Sequence, residues 1–265
     1  MDELSIEIAG LRTGIRTRDP AVAGFVRERY RGFLSAETPE WWIEMKAEAV
    51  PSPSFVGNVA VVRDGERTRF AVRRRDFAGT LDLDHRSGAV AVSDPGAVSI
   101  DSFLRIAYSL ALLDVRGLVV HAASLVRNGK AYLFCGPSGS GKTTVARLSG
   151  DATLLSDELS IVRVADTRAR CYATPFAGEL ARAGEDRAAP LRGIYFLHHG
   201  SRHAVEAVKP RQALERLLPN VLFFAREAEL GARVLGIAAD LVEATPCFEL
   251  WFLPDPGFWE VVDGG

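Results

Sequence analysis

Cysteine is nearly absent: Cys135, Cys171 and Cys247 are the only three in 265 residues, widely spaced and without a CxxC pair. That excludes a disulfide framework and a cysteine-based zinc site, and makes a reducing compartment the expectation. Lysine is scarce too, confined to Lys46, Lys130, Lys142 and Lys209, while arginine is abundant. The imbalance reads as coding bias. With a net charge of −2 and both signs spread along the chain, no basic face of the kind that nucleic acid requires is legible. No apolar run reaches the roughly 20 residues that span a bilayer. The opening Met1-Asp2-Glu3-Leu4 lacks the basic and then apolar order of a secretory signal. A cytoplasmic protein is expected, with neither membrane nor nucleic acid among its partners.

What is present is material for a core. Apolar residues make up 48 % of the chain, enough for one large domain or for a catalytic domain with a smaller companion. Ile6 to Arg18 is ambiguous. Asp19-Pro20 followed by Val22, Phe25, Val26 and Tyr30 combines an N-cap, a first-turn proline and helical spacing, and predicts a helix over residues 20–34. Trp41, Trp42, Ile43 and Met45 read as core packing before a ligand platform. Between Val59 and Val92, short alternating runs broken at Asp64-Gly65 and Ser87-Gly88 predict an antiparallel meander, and with it a small β-rich N-terminal lobe over residues 1–96. Arg73-Arg74-Arg75 suits a solvated turn, with a phosphate or acidic-partner contact as the other reading. After Pro95-Gly96, Ser99 to Leu113 sets Phe103, Ile106, Leu110 and Leu113 on one helical face.

The stretch around which the chain is organised is Gly136-Pro137-Ser138-Gly139-Ser140-Gly141-Lys142-Thr143-Thr144, a GxxxxGKS/T phosphate-binding loop. An apolar run, Ala131 to Cys135, precedes it and a helix-compatible run, Thr143 to Leu148, follows, which is the strand–loop–helix context the motif needs. The glycines allow the backbone to turn its N–H groups toward an anion, Lys142 reaches β and γ oxygens, and the Thr143 hydroxyl meets Mg²⁺.

Two further features converge on the loop. Asn128-Gly129 is a two-residue hairpin signal, and if Arg127 pairs with Lys130, counting back along the ladder places His121 opposite Gly136. Asp157 and Glu158 end a strand-like run, Thr153 to Ser156, only fifteen residues after Lys142. Adjacent carboxylates beside a phosphate site suit two tasks, orienting Mg²⁺ and accepting a proton from an incoming hydroxyl.

Downstream, Ile161 to Val164 and Arg170 to Ala173 flank Asp166-Thr167 as a hairpin, and the polar stretch from Thr174 to Pro190 predicts a long loop. Strands are expected at Leu191 to Leu197, Ala204 to Val208 and Cys247 to Leu253, and helices at Pro210 to Phe224 and Glu227 to Ala244. His198, His199 and His203 cluster near a turn without the acid spacing of a metal site.

His121-Ala122-Ala123, Gly136 to Thr144 and Ser156-Asp157-Glu158 at these intervals resemble the catalytic domain of HPr kinase/phosphorylase and its kinase relatives, a branch with the nucleotide-binding fold of phosphoenolpyruvate carboxykinase. Leu191-Arg192-Gly193-Ile194 is similar to a strand entry in that family. The resemblance covers residues 97–253 and is most specific in the first forty of them. It implies transfer of a γ-phosphoryl group to serine, with Lys142 and Thr143 serving phosphate and Mg²⁺, Asp157 as base, Glu158 as second acid at the metal and His121 near the phosphates. The family commonly has aspartate where Glu158 stands, and residues 1–96 do not resemble its N-terminal domain. Smaller relatives of this layout act on ribosomally made peptides, which points to a peptide serine.

The expectation is therefore an α/β chain: a phosphate-loop domain of the HPr kinase and carboxykinase type, with a central mixed sheet, over residues 97–265, beside the N-terminal lobe. The expected reaction is kinase chemistry with ATP, or GTP as the alternative, and Mg²⁺. Its acceptor is a serine of a protein or peptide. The alternatives are a small hydroxylated metabolite as acceptor, or a nucleotide-binding regulatory module with little turnover; homo-oligomeric assembly is left open.

Overall fold

The computed structural model describes residues 1–50, 59–65, 68–176, 178–180 and 187–264. The predicted loop between Thr174 and Pro190 therefore lies partly outside the described residues. The chain is a mixed α/β protein that divides into two compact units, Met1–Leu112 with Phe223–Gly231, and Leu113–Leu222 with Ala232–Gly265. Among the described residues no helix is long and apolar enough to cross a membrane.

The first unit is built on strands β1 (Asp2–Ile8), β2 (Leu11–Thr17), β3 (Trp41–Ala47), β4 (Ala60–Arg63), β5 (Arg69–Arg74), β6 (Phe77–Asp82) and β7 (Ser87–Val92), with helices α1 (Pro20–Arg29) and α2 (Ala97–Ala111). The ambiguous stretch resolves into a hairpin. Ala9 and Gly10 take φ of 54° and 76°, the left-handed pair a two-residue turn needs, and Ile6, Ile8, Leu11 and Ile15 turn inward. The meander β4 to β7 is antiparallel as its pattern predicts, but it belongs to a larger seven-stranded sheet of order β1-β2-β3-β7-β6-β5-β4. Because β3 runs parallel to both β2 and β7, the sheet is mixed.

Asp19 caps α1, accepting from the N–H of Ala21 at 2.9 Å, and α1 is shorter than predicted, giving way to a 3₁₀ turn at Arg31–Phe33. Both helices serve one sheet face. Phe103 of α2 meets Phe77 edge-on at 5.8 Å, and Asp101 accepts the Tyr30 hydroxyl at 2.7 Å and the Arg29 guanidinium. The tryptophan patch splits by strand alternation: Trp41, Ile43 and Met45 are buried, whereas Trp42 lies on the opposite face under the Arg16 guanidinium, 3.7 Å from its ring centre.

The second unit contains β8 (Gly117–Arg127), β9 (Lys130–Cys135), α3 (Lys142–Leu148), β10 (Thr153–Ser156), β11 (Leu159–Ala165), β12 (Arg168–Tyr172), β13 (Ala188–His199), β14 (Ala204–Ala207), α4 (Pro210–Leu217), β15 (Cys247–Phe252) and α6 (Phe258–Asp263); α5 spans Ala228–Ala244. Its eight-stranded sheet is mixed. Two long strands each change neighbours along their length. The first half of β8 pairs with β11 and its second half with β9 and β10, while β13 begins against β12 and continues parallel to β9 and β15. The ladder thus closes on itself through β8, β9, β13, β12 and β11, which fixes the end of β9 from both sides.

Beneath β9, Phe134 stacks on Tyr195 at 5.4 Å and meets Phe258 and Trp259 edge-on. Helix α6, which supplies the last two rings, has six residues, too few to leave a periodic signal between Pro256 and the last glycines. Helix α4 stops at Leu217 where the sequence predicts helix to Phe224. Pro219 lacks an N–H and sits in a 3₁₀ turn, after which Leu222 donates to the Val119 carbonyl at 2.8 Å. All three cysteines are free and buried, and burial pushes the Cys171 and Cys247 thiols up to about 12, so they are inert packing groups.

Candidate functional site

The β8–β9 hairpin has the register that its turn predicts. Asn128 and Gly129 adopt φ of 52° and 72°, Arg127 faces Lys130, and the ladder runs to Ala122 opposite Cys135. His121 is the next residue, level with the start of the loop. On its other edge the same residue pairs with Leu159 of β11. One strand therefore holds the phosphate-loop motif on one side and the acid pair on the other.

The loop leaves β9 at Gly136 and enters α3 at Lys142. Gly139 and Gly141 have φ of 81° and 100°, and a Cβ on Gly141 would stand 2.6 Å from the Phe252 ring. Only glycine satisfies both the conformation and the contact there. A Cβ on Gly136 would lie 2.5 Å from Ser140 Oγ, which is itself buried and without a hydrogen-bond partner among the described residues. Pro137, Ser138 and Gly139 are exposed, and Thr143 and Thr144 are half-buried in the first turn of α3.

Lys142 is 7 % exposed and donates through Nζ to the Gly136 carbonyl at 2.8 Å and the Pro137 carbonyl at 3.0 Å. Burial lowers the pKa of its ammonium, and the charge of Glu158 opposes that shift. These residues fit a polyphosphate. The loop backbone turns through left-handed glycines, its tip is open, an unpartnered hydroxyl faces inward, and a cation is held at its base.

The two acids have different surroundings. Asp157 is 2 % exposed; its Oδ1 accepts the N–H of Gly178 and its Oδ2 that of Leu180, each at 2.8 Å. Gly178 approaches so closely that a Cβ there would lie 2.8 Å from Glu158 Cβ. Glu158 turns toward His121, with 3.6 Å between Oε2 and Nε2, and both side chains are about a third exposed, at 36 % and 35 %. The residue read as base is thus buried and engaged by backbone, while the residue read as second metal ligand faces outward beside the imidazole.

Among the described residues no group of three or more His, Cys, Asp and Glu side chains is arranged to hold a metal. A hard cation at this loop would have the Thr143 hydroxyl, Asp157 or Glu158, phosphate oxygens and water, the mixed ligand set that Mg²⁺ accepts.

Sequence reasoning missed His199. Its Nε2 lies 2.9 Å from the Gly139 carbonyl, and its ring stacks over Phe252 at 6.5 Å, so it braces the loop tip from β13. The signal was the parallel pairing of Phe196 with Cys135, which runs between residues far apart in sequence and leaves no periodic trace. The neighbouring histidines go elsewhere. His198 pairs with Glu249, which also takes Arg216, and stacks on Trp251, while His203 bonds Asp255 at 2.9 Å.

A family model described as SynChlorMet cassette protein ScmC matches residues 91–264. The chain belongs to the ScmC family. The match embraces the phosphate loop, His121, Asp157, Glu158 and His199, so the whole candidate site lies inside the ScmC region. No curated protein matches the chain. Among solved structures, the Hpr(Ser) kinase/phosphatase from Coxiella burnetii is similar at 11 % identity, with 55 % of this chain and 94 % of that chain covered; the TM-score of 0.31 is too low to carry an argument.

Proposed function

We propose that the second unit is a phosphotransferase that binds ATP, or GTP, with Mg²⁺ and moves the γ-phosphoryl group to an alcohol, a serine of a protein or peptide. The observation that carries this reading is the meeting of three elements on β8: the glycine loop with Lys142 at its base, the Asp157-Glu158 pair, and His121 between them. Phosphoryl transfer asks for positioning and charge stabilisation, for which the loop offers backbone N–H donors and a buried ammonium.

In this reading the backbone N–H groups of Ser138, Gly139, Gly141 and Lys142 bind phosphate oxygens, and the Lys142 ammonium exchanges its two carbonyl partners for the β and γ oxygens. Thr143 and Glu158 are the side chains that would hold the cation. Mg²⁺ supplies neutralisation of charge across the phosphates when bound. Asp157 orients the acceptor hydroxyl and takes its proton. Each of its oxygens keeps a second lone pair beyond the bond to Gly178 or Leu180.

A second reading has its own support. Because both Asp157 oxygens already accept backbone N–H groups and the side chain is buried, the same loop also suits a nucleotide-binding regulatory module with little turnover. The test follows γ-labelled ATP and Mg²⁺ in native cell extract, separating protein, peptide, small-molecule and inorganic phosphate fractions, with Lys142→Ala as control. Label in a protein or peptide that vanishes with Lys142→Ala supports the kinase reading. Label in a metabolite moves the acceptor to a small molecule. Nucleotide binding without any Lys142-dependent label favours the regulatory module.

A further inference from the structure

The seven-stranded sheet of the first unit has two unequal faces. Helices α1 and α2 serve the one on which Ile15, Ile43, Val72, Leu81 and Val90 are buried. The opposite face departs from what an exposed sheet should present. Alternation normally sends long polar side chains to solvent, yet the register here runs rows of small residues across β5, β6, β7 and β3. One row is Arg73, Ala78, Ala91 and Lys46. The next is Ala71, Thr80, Ala89 and Glu44.

Alanine is disfavoured in strands, and cross-strand pairs of larger residues add roughly 0.2–1 kcal/mol over an alanine pair. A face meant for water gains nothing from these choices. What they make is room, a trough of about 630 Å³ with alanines on its floor. At about 4.8 Å per strand step, the distance from Arg73 to Lys46 is about 14 Å, close to the ~10–12 Å diameter of one α-helix with its side chains.

The trough also has a sign. Several charges along it are paired: Arg16 with Glu3 at 2.9 Å, Asp64 with Arg69 at 3.5 Å, and Lys46 with Glu48. Arg18, Arg73 and Glu44 line the trough, are exposed, and have neither an ion pair nor a side-chain hydrogen bond among the described residues. Two unpaired guanidinium groups against the one carboxylate of Glu44 leave the trough a positive balance, which matches an acidic, not a basic, ligand surface.

The form of the occupant follows from its backbone. A strand reaching this sheet would find hydrogen-bond partners at the edges β1 and β4, whereas a sheet face offers none, so a segment lying on the face must satisfy its own N–H and C=O groups. We infer that this face docks a helix of a polypeptide partner, small and apolar where it meets the alanine floor and carrying Asp or Glu toward Arg18 and Arg73. This docking site stands apart from the phosphotransfer reading and would serve a kinase or a regulatory module alike.

The test titrates the full chain with a fluorescein-labelled, alanine-rich helical peptide of about 20 residues, long enough to hold a helix. The peptide bears glutamates on both flanks of an Ala/Leu face, and a lysine counterpart is the control. At low salt the glutamate peptide should bind saturably and the lysine peptide about tenfold more weakly or less. The double substitution Arg18→Ala/Arg73→Ala should weaken binding about tenfold. Ala89→Phe, which fills the floor without touching charge, should do the same, with thermal unfolding confirming that each variant folds. Equal binding of both peptides, no saturable binding, or insensitivity to either variant overturns the proposal. So does sedimentation that finds a dimer lost on Ala89→Phe, which would make a second copy the occupant.

Discussion

The two units are both mixed α/β assemblies on twisted sheets, but they use their strands differently. In the second, most of the candidate site lies where strands end, with Gly136 beyond β9, Asp157 and Glu158 beyond β10 and His199 at the end of β13; His121, inside β8, is the exception. In the first, strand ends are ordinary turns and the unusual feature is a face, the alanine rows between Arg73 and Lys46. Strand ends free backbone N–H groups and permit left-handed glycines, so they suit an anion. Faces have their backbone spent on the ladder and can recognise only through side-chain shape and charge.

The glycines give the sharpest way to break that contrast. Gly141→Ala puts a Cβ at φ 100° and 2.6 Å from the Phe252 ring. Binding of a fluorescent ATP analogue should fall at least about a hundredfold, with about 2–4 kcal/mol lost in denaturant melts. Normal binding would remove the loop from the phosphate site.

Next in size is Asp157→Asn, for which transfer should fall about 10²–10⁴-fold while nucleotide affinity moves only a few-fold. An amide NH₂ turned toward Gly178 or Leu180 also leaves one backbone donor without its acceptor, a cost of about 1–3 kcal/mol visible as faster hydrogen exchange at that amide. Faster exchange with transfer intact would make Asp157 a clamp on the 178–180 backbone and not a base.

His199→Phe keeps the stack on Phe252 and removes the contact with the Gly139 carbonyl. Nucleotide affinity should fall about fivefold, the weight of one hydrogen bond of about 1 kcal/mol, with the fold unchanged. An unaltered affinity in titration would leave His199 a surface residue.

The first unit contributes a pH test. Asp76 lies in the turn between β5 and β6, where burial alone would raise its pKa, but bonds from Arg74 at 2.6 Å and from the Ser99 hydroxyl of α2 at 2.9 Å outweigh this and hold the carboxyl below its ordinary value. A depressed carboxyl contributes stability that is present above its unfolded pKa and is lost as pH falls through the lower folded one. Asp76→Asn should therefore cost about 1.5–3 kcal/mol at neutral pH, the weight of a charge-assisted hydrogen bond. The deficit should shrink below about pH 4, and denaturant melts at both values would check it. A deficit that persists in acid would mean that shape, not charge, is lost. The smallest effect belongs to Gly65→Ala: φ is 75°, but nothing lies within 4 Å, so about 1 kcal/mol of strain is expected and no change in nucleotide binding.

Much of the candidate site was legible because its signals are local. Asn128-Gly129 demands a tight hairpin, and the hairpin's register brings His121 level with Gly136. The glycine spacing of the loop carries its own conformational requirement. What Asp157 touches was not legible, since its partners are the backbone amides of Gly178 and Leu180, 21 and 23 residues on, supplied by a stretch with no pattern of its own. His199 was missed because it depends on two strands meeting in parallel, and the alanine trough because no single strand reveals which alanines stand side by side.

The sequence by itself determined the Asp19-Pro20 helix start, the meander strands, the hairpin turns and the glycine loop, because each is decided within a few residues by φ preferences, caps and alternation. Only the tertiary structure decided the seven-stranded sheet around β3, the ring of strands through β8 and β13, and the division of labour between Asp157, Glu158 and His199. Those depend on which distant strands pair and in what register, an outcome set by summed packing and ladder energies that no local stretch contains.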